Sequence, residues 1–206
     1  MTAEGDNSVL MQKVAKELLG MLKSNTYVAP KINSSATEKL TNFEFLHYLF
    51  GKREIVQLTT LGKSMAIKMK QGESLFDVWM AQESDLIQSA ARSYGERIVL
   101  EQFLEVISNA DNSLKKILEK LFLVYTLRVI EKDLGWFLTN KFISLEMGKE
   151  ISDKVRSLCS EIAPDCLSLV EALAIPDQIV YAPISSDWIG YNYYDNQGEV
   201  KDIKFF

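Results

Sequence analysis

Glu4 is a candidate general base, because Gly5 follows it and a helix start follows that. Three residue types that favour helix N-caps come next: Asp6, Asn7 and Ser8. The pattern predicts the Glu4 carboxylate at the mouth of a helix, beside a residue without a side chain, where a ligand could approach the backbone closely. An acid–glycine pair is also an ordinary way to begin a helix, so these residues alone leave both interpretations open.

The other side chains with reactive or metal-binding chemistry are two cysteines and one histidine: Cys159, Cys166 and His47. They are too few for a closed structural zinc site, and they lack the dense spacing of a secreted disulfide framework. We therefore predict no metal site. Both cysteines are expected to be small core residues. His47, with no Cys or Ser nearby in the sequence, is expected to be structural or at the surface.

The composition is that of an ordinary globular protein, since 47% of the 206 residues are hydrophobic and 25% are charged. The formal net charge of −5, with lysines and arginines scattered among acids, argues against nucleic acid or an anionic membrane as the main partner. No apolar run is long enough to span a bilayer, and the N-terminus lacks the basic and apolar regions of a signal peptide. We expect neither membrane insertion nor export.

A base needs a rigid element behind it, and apolar residues at one-turn spacing predict that element to be a helix ending near Lys23. Its predicted buried side consists of Leu10, Val14 and Leu18. A connector follows over Ser24–Ser34. The capping-box sequence Ser35–Glu38 then predicts the start of a second helix, which ends at Gln71–Gly72.

Four more helices are predicted, with the bounds Leu75–Ser108, Ser113–Thr139, Ser144–Ile162 and Pro164–Leu173. The third of the chain's helices carries a charged row that is expected at the surface: Arg92, Glu96, Arg97 and Glu101. The fourth is expected to bury Ile117, Leu121, Val124, Tyr125 and Leu134. The aromatic residues after Leu173 show no period: Trp188, Tyr191, Tyr193 and Tyr194. The predicted fold class is all-α, an antiparallel bundle of about six helices with an irregular aromatic C-terminal tail.

Two separate parts of the sequence resemble the acyl-CoA oxidase family. Tyr125–Leu138 (YTLRVIEKDLGWFL) and Ile162–Ala172 (IAPDCLSLVEA) are similar, in order and spacing, to the family's C-terminal helical domain, and Ala90–Phe103 resembles the helix before it. Independently, Thr2–Leu10 resembles the family segment Thr-x-Glu-Gly-(Asp or Glu)-Asn-x-Val, which carries the catalytic glutamate. Two matching parts in the right order are far more specific than either alone.

The resemblance implies that Glu4 removes the α-proton of a fatty acyl-CoA while the β-hydride passes to FAD, which dioxygen then reoxidises. The implied products are trans-2-enoyl-CoA and hydrogen peroxide. It also implies that Gly5 lets the substrate pass close and that three residues approach the FAD: Asp6, Asn7 and Ser8. Residues 1–110 would then be the second half of the flavin-side helical bundle, and residues 111–206 the C-terminal oxidase domain.

Oxidases of this family have further domains ahead of the glutamate segment, so the resemblance implies a C-terminal portion that does not turn over substrate alone. Its expected partners are an N-terminal oxidase half or a second protomer, with a homodimer by analogy. Two alternatives stay open: a noncatalytic helical interaction module of the same origin, and an acyl-CoA dehydrogenase fragment. The Glu4–Gly5 pair favours an enzyme over the module, and the helices between Ser113 and Leu173 favour an oxidase over a dehydrogenase.

The final residues, Ile203–Phe206, differ from the Ser-Lys-Leu type of peroxisomal signal. We therefore expect a bacterial cytoplasmic protein, or a peroxisomal one if the source is eukaryotic. The acyl chain length that the enzyme prefers is not predicted by any motif in the sequence.

Overall fold

The computed structural model describes residues 7–176 and, after them, Ile179, Val180, Ala182, Ile189, Gly190 and Tyr193. The α-helices are α1 (Asn7–Lys23), α2 (Phe43–Lys70), α3 (Leu75–Asp77), α4 (Ser84–Asn109), α5 (Asn112–Lys132), α6 (Leu134–Thr139), α7 (Leu145–Ile162) and α8 (Cys166–Glu171). A π-helical turn lies at Val78–Gln82 and a 3-10 turn at Ala163–Asp165. No strand occurs among the described residues, and the all-α prediction is confirmed.

The chain divides into two compact units, Met1–Ile162 and Ala163–Phe206. The first unit contains α1 to α7, and the second contains the 3-10 turn and α8. The domain boundary that the sequence suggests between residues 110 and 111 stays a prediction. Within the described part of the chain, no helix is both long and apolar enough to cross a membrane.

The larger apolar core of the first unit lies between α2, α4, α5, α6 and α7. Phe122 of α5 is fully buried within it. Its ring centroid lies 4.6 Å from that of Phe43 in α2 and 5.6 Å from that of Phe103 in α4. Burial of one such ring stabilises a fold by about 1.5–3 kcal/mol, so these contacts hold three helices around a common centre.

A smaller core joins α1 to α2, α4 and the π-helical turn. Its buried members are Ala15, Leu61, Met65, Val78, Ile87, Ala90 and Ala91. Three of these are alanines, so the backbones of α1 and α4 can approach closely. The predicted buried side of α1 is partly wrong: Leu18 is buried, but Leu10 is 36% exposed, because the helix turns the Ala15 face toward the core.

The start of α2 differs from the prediction. The capping-box sequence Ser35–Glu38 does not begin a helix, and α2 begins at Phe43 with Asn42 as its N-cap. The Asn42 side-chain oxygen accepts hydrogen bonds from the backbone N–H groups of Glu44 at 2.9 Å and Phe45 at 3.2 Å. The helix therefore begins where a side chain satisfies two free N–H groups just ahead of the first fully buried apolar residues.

We expect Asn42→Ala to lower the free energy of unfolding by about 1 kcal/mol, because it leaves two N–H groups of α2 without their cap. Ser35→Ala is the matched control, since it changes the cap that the sequence predicted and should change that free energy by less than about 0.3 kcal/mol. Urea denaturation followed by circular dichroism measures both. An equal loss in the two variants would contradict the observed start of α2.

Two predicted helices are each interrupted once. The predicted helix Leu75–Ser108 contains the π-helical turn, in which the Glu83 N–H donates to the Val78 carbonyl at 2.9 Å. The predicted helix Ser113–Thr139 is broken at Asp133, which separates α5 from α6 and whose carboxylate forms an ion pair with Arg53. Neither interruption contains proline, so no local breaker marks it in the sequence.

The buried side of α5 is also displaced from the predicted one. Its buried residues are Phe122, Thr126, Leu127 and Ile130, whereas Leu121 and Tyr125 are half-buried. Leu121 has helical spacing to other apolar residues, which predicts that it is buried. However, α5 is apolar on more than one side, so this spacing does not identify the buried face. A charge placed at position 121 is therefore expected to disturb the core less than one at Phe122.

The prediction for α7 is confirmed, with Ile151, Val155, Leu158 and Ile162 all buried. The Ser144 side chain caps it by accepting the Met147 N–H at 3.1 Å. The second unit has its predicted short helix, shifted by the 3-10 turn to α8.

The prediction for the cysteines is wrong. Cys159 and Cys166 are both exposed, because Cys159 follows Leu158 around the outer face of α7 and Cys166 is the first residue of α8. Of the predicted tail aromatics, Tyr193 is described and exposed. Three others lie outside the described residues: Trp188, Tyr191 and Tyr194.

Candidate functional site

The N-terminal end of α1 is the place where the sequence predicts catalysis. Three of the predicted site residues lie outside the described residues: Glu4, Gly5 and Asp6. The other two, Asn7 and Ser8, form the start of α1, where Asn7 is exposed and Ser8 is half-buried. The first turn of α1 contains no acidic residue. No carboxylate within α1 therefore balances the partial positive charge at the N-terminal end of its dipole.

Two polar contacts fix the first half of α1 against the rest of the first unit. Gln88 of α4 donates its side-chain N–H to the Ser8 carbonyl at 3.1 Å. Trp79 of the π-helical turn directs its indole N–H at the Gln12 side-chain oxygen, at 3.4 Å. With Ala15 fully buried one turn further on, the start of α1 has a defined place beside α4.

Glu83 anchors the π-helical turn to α2. Its side chain is 7% exposed, accepts a hydrogen bond from the Ser64 hydroxyl at 2.5 Å, and pairs with the Lys68 ammonium at 2.6 Å. A carboxylate this buried needs such partners, because a buried charge without them is costly. The turn that carries Trp79 is thereby attached to α2 by charge as well as by apolar contact.

A buried charge cluster lies between α2, α4 and the start of α6, and we define it as His47, Arg53, Glu54, Glu96, Arg97, Glu101 and Asp133. Glu54 and Arg97 form its centre. The Arg97 Nε donates to Glu54 Oε2 at 2.6 Å, and the second guanidinium bond to Oε1 is 3.3 Å long. The Tyr27 hydroxyl donates to the same carboxylate at 2.5 Å.

Arg53 forms the second centre of the charge cluster. Its side chain is 2% exposed and pairs with Glu96 at 2.5 Å and with Asp133 at the α5–α6 break. Its guanidinium carbon also lies 6.0 Å from the centre of the Phe137 ring. The break at Asp133 therefore supplies a carboxylate to an arginine that would otherwise be buried with one partner fewer.

The charged row that the sequence predicts at a helix surface contains one buried residue, Arg97, and its other three members are half-buried. Arg97 is 7% exposed and faces α2. Glu101 accepts from Arg97 at 2.6 Å and contacts the His47 Nε2 at 2.9 Å. The prediction that His47 is structural or at the surface agrees with this half-buried position. Among the described residues, no group of His, Cys, Asp and Glu side chains could hold a metal ion.

Burial and neighbouring charges shift proton affinities in the charge cluster. Burial alone lowers the pKa of the Arg97 guanidinium, but the hydrogen bond and negative charge of Glu54 raise that pKa above its ordinary value. Burial and then the Glu54 carboxylate raise the pKa of Tyr27. Burial and then the charge of Glu96 raise the pKa of Tyr125 to about 12. The arginine therefore stays charged and the phenols stay neutral at physiological pH.

We expect the Tyr125 hydroxyl to make stability fall between pH 10 and 12. The folded state keeps the phenol proton up to about pH 12, whereas the unfolded chain releases it near pH 10, so the native state binds more protons in this range. The contribution is complete below pH 10 and is lost as the pH rises, by at most about 1.4 kcal/mol per pH unit. Tyr125→Phe should therefore show a shallower fall in urea denaturation across this range. Parallel curves for the two proteins would contradict the shift.

The charge cluster was missed in the sequence, although a signal for it exists. Arg53, Glu54 and Gln57 interrupt the apolar face of α2 at helical spacing, between Phe50 and Leu58. Polar residues on an otherwise apolar face are buried only when partners are available. Applied to α2, that rule predicts that oppositely charged partners lie on another helix, and Glu96 and Arg97 of α4 are such partners.

A groove of about 770 Å³ opens between α1, α3 and the π-helical turn. Leu19, Met65 and Trp79 line its inner part, and the side chains of Phe76 and Met80 line its outer part. The α1 residues that line the groove belong to the second half of that helix, away from its N-terminal end.

A family model described as acyl-CoA oxidase matches residues 42–187 of the chain. An acyl-coenzyme A oxidase-like protein of Mus musculus is 28% identical over 204 residues, which cover 89% of this chain and 32% of that protein. Peroxisomal acyl-coenzyme A oxidase 3 of Arabidopsis thaliana is 26% identical, with 95% of this chain and 31% of that protein covered. The chain thus spans about a third of the length of the curated relatives it matches.

Solved structures agree in fold. Acyl-CoA oxidase 1 of Yarrowia lipolytica superposes with a TM-score of 0.78 at 21% identity, covering 100% of this chain and 32% of that one. Acyl-CoA oxidase-2 of Caenorhabditis elegans, solved with FAD, ascaroside-CoA and ATP, gives a TM-score of 0.78 at 16% identity, covering 98% and 33%. At these identities the two structures establish the fold of the described helices and nothing finer.

Proposed function

The chain belongs to the acyl-CoA oxidase family, and from this membership we propose that it is the C-terminal part of an oxidase that converts a fatty acyl-CoA and dioxygen into trans-2-enoyl-CoA and hydrogen peroxide. The observation that carries the proposal is the presence of Glu4–Gly5 directly ahead of α1, in a chain whose later helices match the family model. The rest of the active site would come from polypeptide that corresponds to the other two thirds, roughly, of the relatives.

In the proposed reaction, Glu4 removes the α-proton of the acyl thioester. This proton is only weakly acidic, so the thioester carbonyl must be polarised by hydrogen bonds where enolate charge develops. The base must be a carboxylate in a dry pocket, where burial favours the protonated form that the reaction produces. Gly5 would let the thioester lie close to the backbone, since it has no side chain in the way.

The described end of α1 fits an electron-rich group such as part of FAD. The first turn of α1 contains no carboxylate, Asn7 is exposed there, and the N-terminal end of a helix favours negative charge. FAD, when bound, would accept the β-hydride and pass its electrons to dioxygen. Asp6, Asn7 and Ser8 would hold it in place at the helix mouth, while Gln88 keeps Ser8 and the rest of this turn fixed.

Relatives supply the basis for the proposed partners and compartment. We infer a fatty acyl-CoA substrate and assembly as a homodimer from family membership alone. Several relatives are named peroxisomal, and they come from eukaryotes. They lend no support to the predicted bacterial cytoplasm and make a peroxisome the better proposal.

A flavin titration with a peroxide assay tests the proposed function. We define the complementing fragment as the part of Yarrowia lipolytica acyl-CoA oxidase 1 that this chain does not match, about two thirds of that protein. The chain alone should leave the spectrum of added FAD unchanged and give no peroxide with a long-chain acyl-CoA. Together with the complementing fragment it should shift the flavin spectrum and release peroxide.

The outcomes distinguish the candidate functions. A flavin shift without peroxide, but with electron transfer to a dye acceptor, would favour the dehydrogenase alternative. A mixture that neither shifts the flavin spectrum nor reacts would contradict the oxidase and leave the noncatalytic helical module.

A further inference from the structure

We propose that the groove between α1, α3 and the π-helical turn docks the remainder of the oxidase polypeptide, through an apolar stripe of that partner flanked by carboxylates. The inference rests on the proposed function and adds the surface through which the two parts join.

The outer part of the groove exposes large apolar side chains. Phe76 is 71% exposed, Leu75 is 55% exposed and Met80 is 46% exposed. They follow one another along α3 and the π-helical turn, on one side of the groove. Single exposed apolar residues are common, but several together on a concave surface mark a site of interaction. The π-helical turn adds to this, because such turns occur frequently at functional sites.

Helix α1 buries only a small part of its surface against the rest of the described chain. Of its 17 residues, Ala15 and Leu18 are buried, whereas Val9 and Met21 are exposed apolar residues. Helices in proteins are stabilised mainly by packing of an apolar face. A partner that covers the groove would bury the α1 residues that line it, Leu19 and Gly20 among them, and would restrain the helix that follows the predicted base in the sequence.

The edge of the groove is basic. Lys16 and Lys23 line it from α1, two helical turns apart, and neither pairs with a carboxylate within the part of the chain that the structure describes. The nearby Lys68 is different, since it is paired with Glu83. Free ammonium groups beside an apolar surface favour a partner whose apolar side chains are flanked by Asp or Glu.

The size of the relatives identifies the occupant. The matching region is 31–32% of the first relatives, in which about two thirds of the polypeptide lies outside the region that this chain matches. An apolar groove on the matching third is the expected consequence of a surface that this larger part covers. A second copy of this chain is the competing occupant, and sedimentation of the chain alone tests it.

The test measures binding of the chain to the complementing fragment by analytical ultracentrifugation. We expect the wild-type chain to form a 1:1 complex and the double variant Phe76→Asp, Met80→Asp to bind at least about 100-fold more weakly, since each side chain contributes roughly tenfold. Val106→Asp is the matched control, because Val106 is a 54% exposed apolar residue of α4 away from the groove. It should bind within about twofold of wild type.

Gly20→Leu separates docking from folding. A Cβ at Gly20 meets nothing within 4 Å, and Gly20 lines the groove, so a larger side chain at this position would occupy part of the groove. Replacing a glycine within a helix should raise the melting temperature slightly. We expect this variant to be at least as stable as wild type and yet to bind the fragment at least about tenfold more weakly.

Each outcome decides one claim. Binding by wild type and control with loss in the groove variants supports the docking surface. Equal binding by all variants overturns the docking surface and leaves the proposed function intact. Absence of any complex with the wild-type chain contradicts the proposed function as well. Self-association of the chain alone that Phe76→Asp abolishes assigns the groove to a second copy and overturns the proposal.

Discussion

We expect Glu4→Gln to lower peroxide production by about 10²- to 10⁴-fold when this chain is assayed with the complementing fragment, FAD and a long-chain acyl-CoA. That is the range expected for loss of a positioned general base. Glutamine keeps the size and much of the hydrogen bonding of glutamate but cannot take a proton. The flavin spectrum and the substrate affinity should therefore change little, so that the loss appears in kcat.

Glu17→Gln is the control for this experiment, because Glu17 is an exposed carboxylate of α1 with no predicted role. Its turnover should stay within about twofold of wild type. Turnover by Glu4→Gln at the wild-type rate would remove Glu4 from the mechanism, whatever the flavin spectrum shows. A flavin spectrum lost together with activity would instead indicate a structural role for Glu4 at the helix mouth.

The helices whose ends are fixed locally could be predicted from the sequence. Ser144 caps α7, and four apolar residues at one-turn spacing form its buried face, so local signals and packing agree. The end of α2 is also predicted by a local signal, the glycine at position 72. In the structure Gly72 has a positive φ of 91° directly after the C-cap at Gln71, a conformation that favours glycine.

The elements that failed depend on distant partners. Asp133 interrupts a continuous helical pattern, and its carboxylate meets Arg53 eighty residues earlier in the chain. The π-helical turn likewise ends at Glu83, whose partners Ser64 and Lys68 belong to α2. Local propensity cannot register such contacts, since they exist only after α2 has packed against the segments that contain Asp133 and Glu83.

The candidate site also has one feature that local residue types predict and another that depends on distant contacts. The position of Glu4 ahead of a helix follows from local residue types, and the start of α1 at Asn7 agrees with it. The charge cluster could not be derived in this way, because a row such as Glu96, Arg97 and Glu101 has the spacing of a surface helix edge. Whether that row faces water or α2 is decided by Glu54, on another helix.

Arg97→Met should lower the free energy of unfolding by about 3–5 kcal/mol, the range for removing one partner of a buried ion pair. The reason is the group left behind: the Glu54 side chain is 0% exposed and loses both of its guanidinium bonds, keeping the hydroxyl of Tyr27 as its donor. Methionine fills much of the arginine's volume, so a cavity contributes little to the loss. Urea denaturation at pH 7 measures the change.

Two further variants show whether the loss comes from the stranded charge. In the double variant Glu54→Leu, Arg97→Met the Glu54 carboxylate is no longer present to be left without its arginine, and we expect this variant to be less than about 2 kcal/mol below wild type, far from the sum of the single variants. Arg156→Met removes an exposed pair with Asp153, whose side chains are 71% and 78% exposed, and should cost less than about 0.5 kcal/mol. Additive losses in the double variant would mean that Glu54 and Arg97 stabilise the fold independently, and that the loss in Arg97→Met does not come from a buried carboxylate left without its partner.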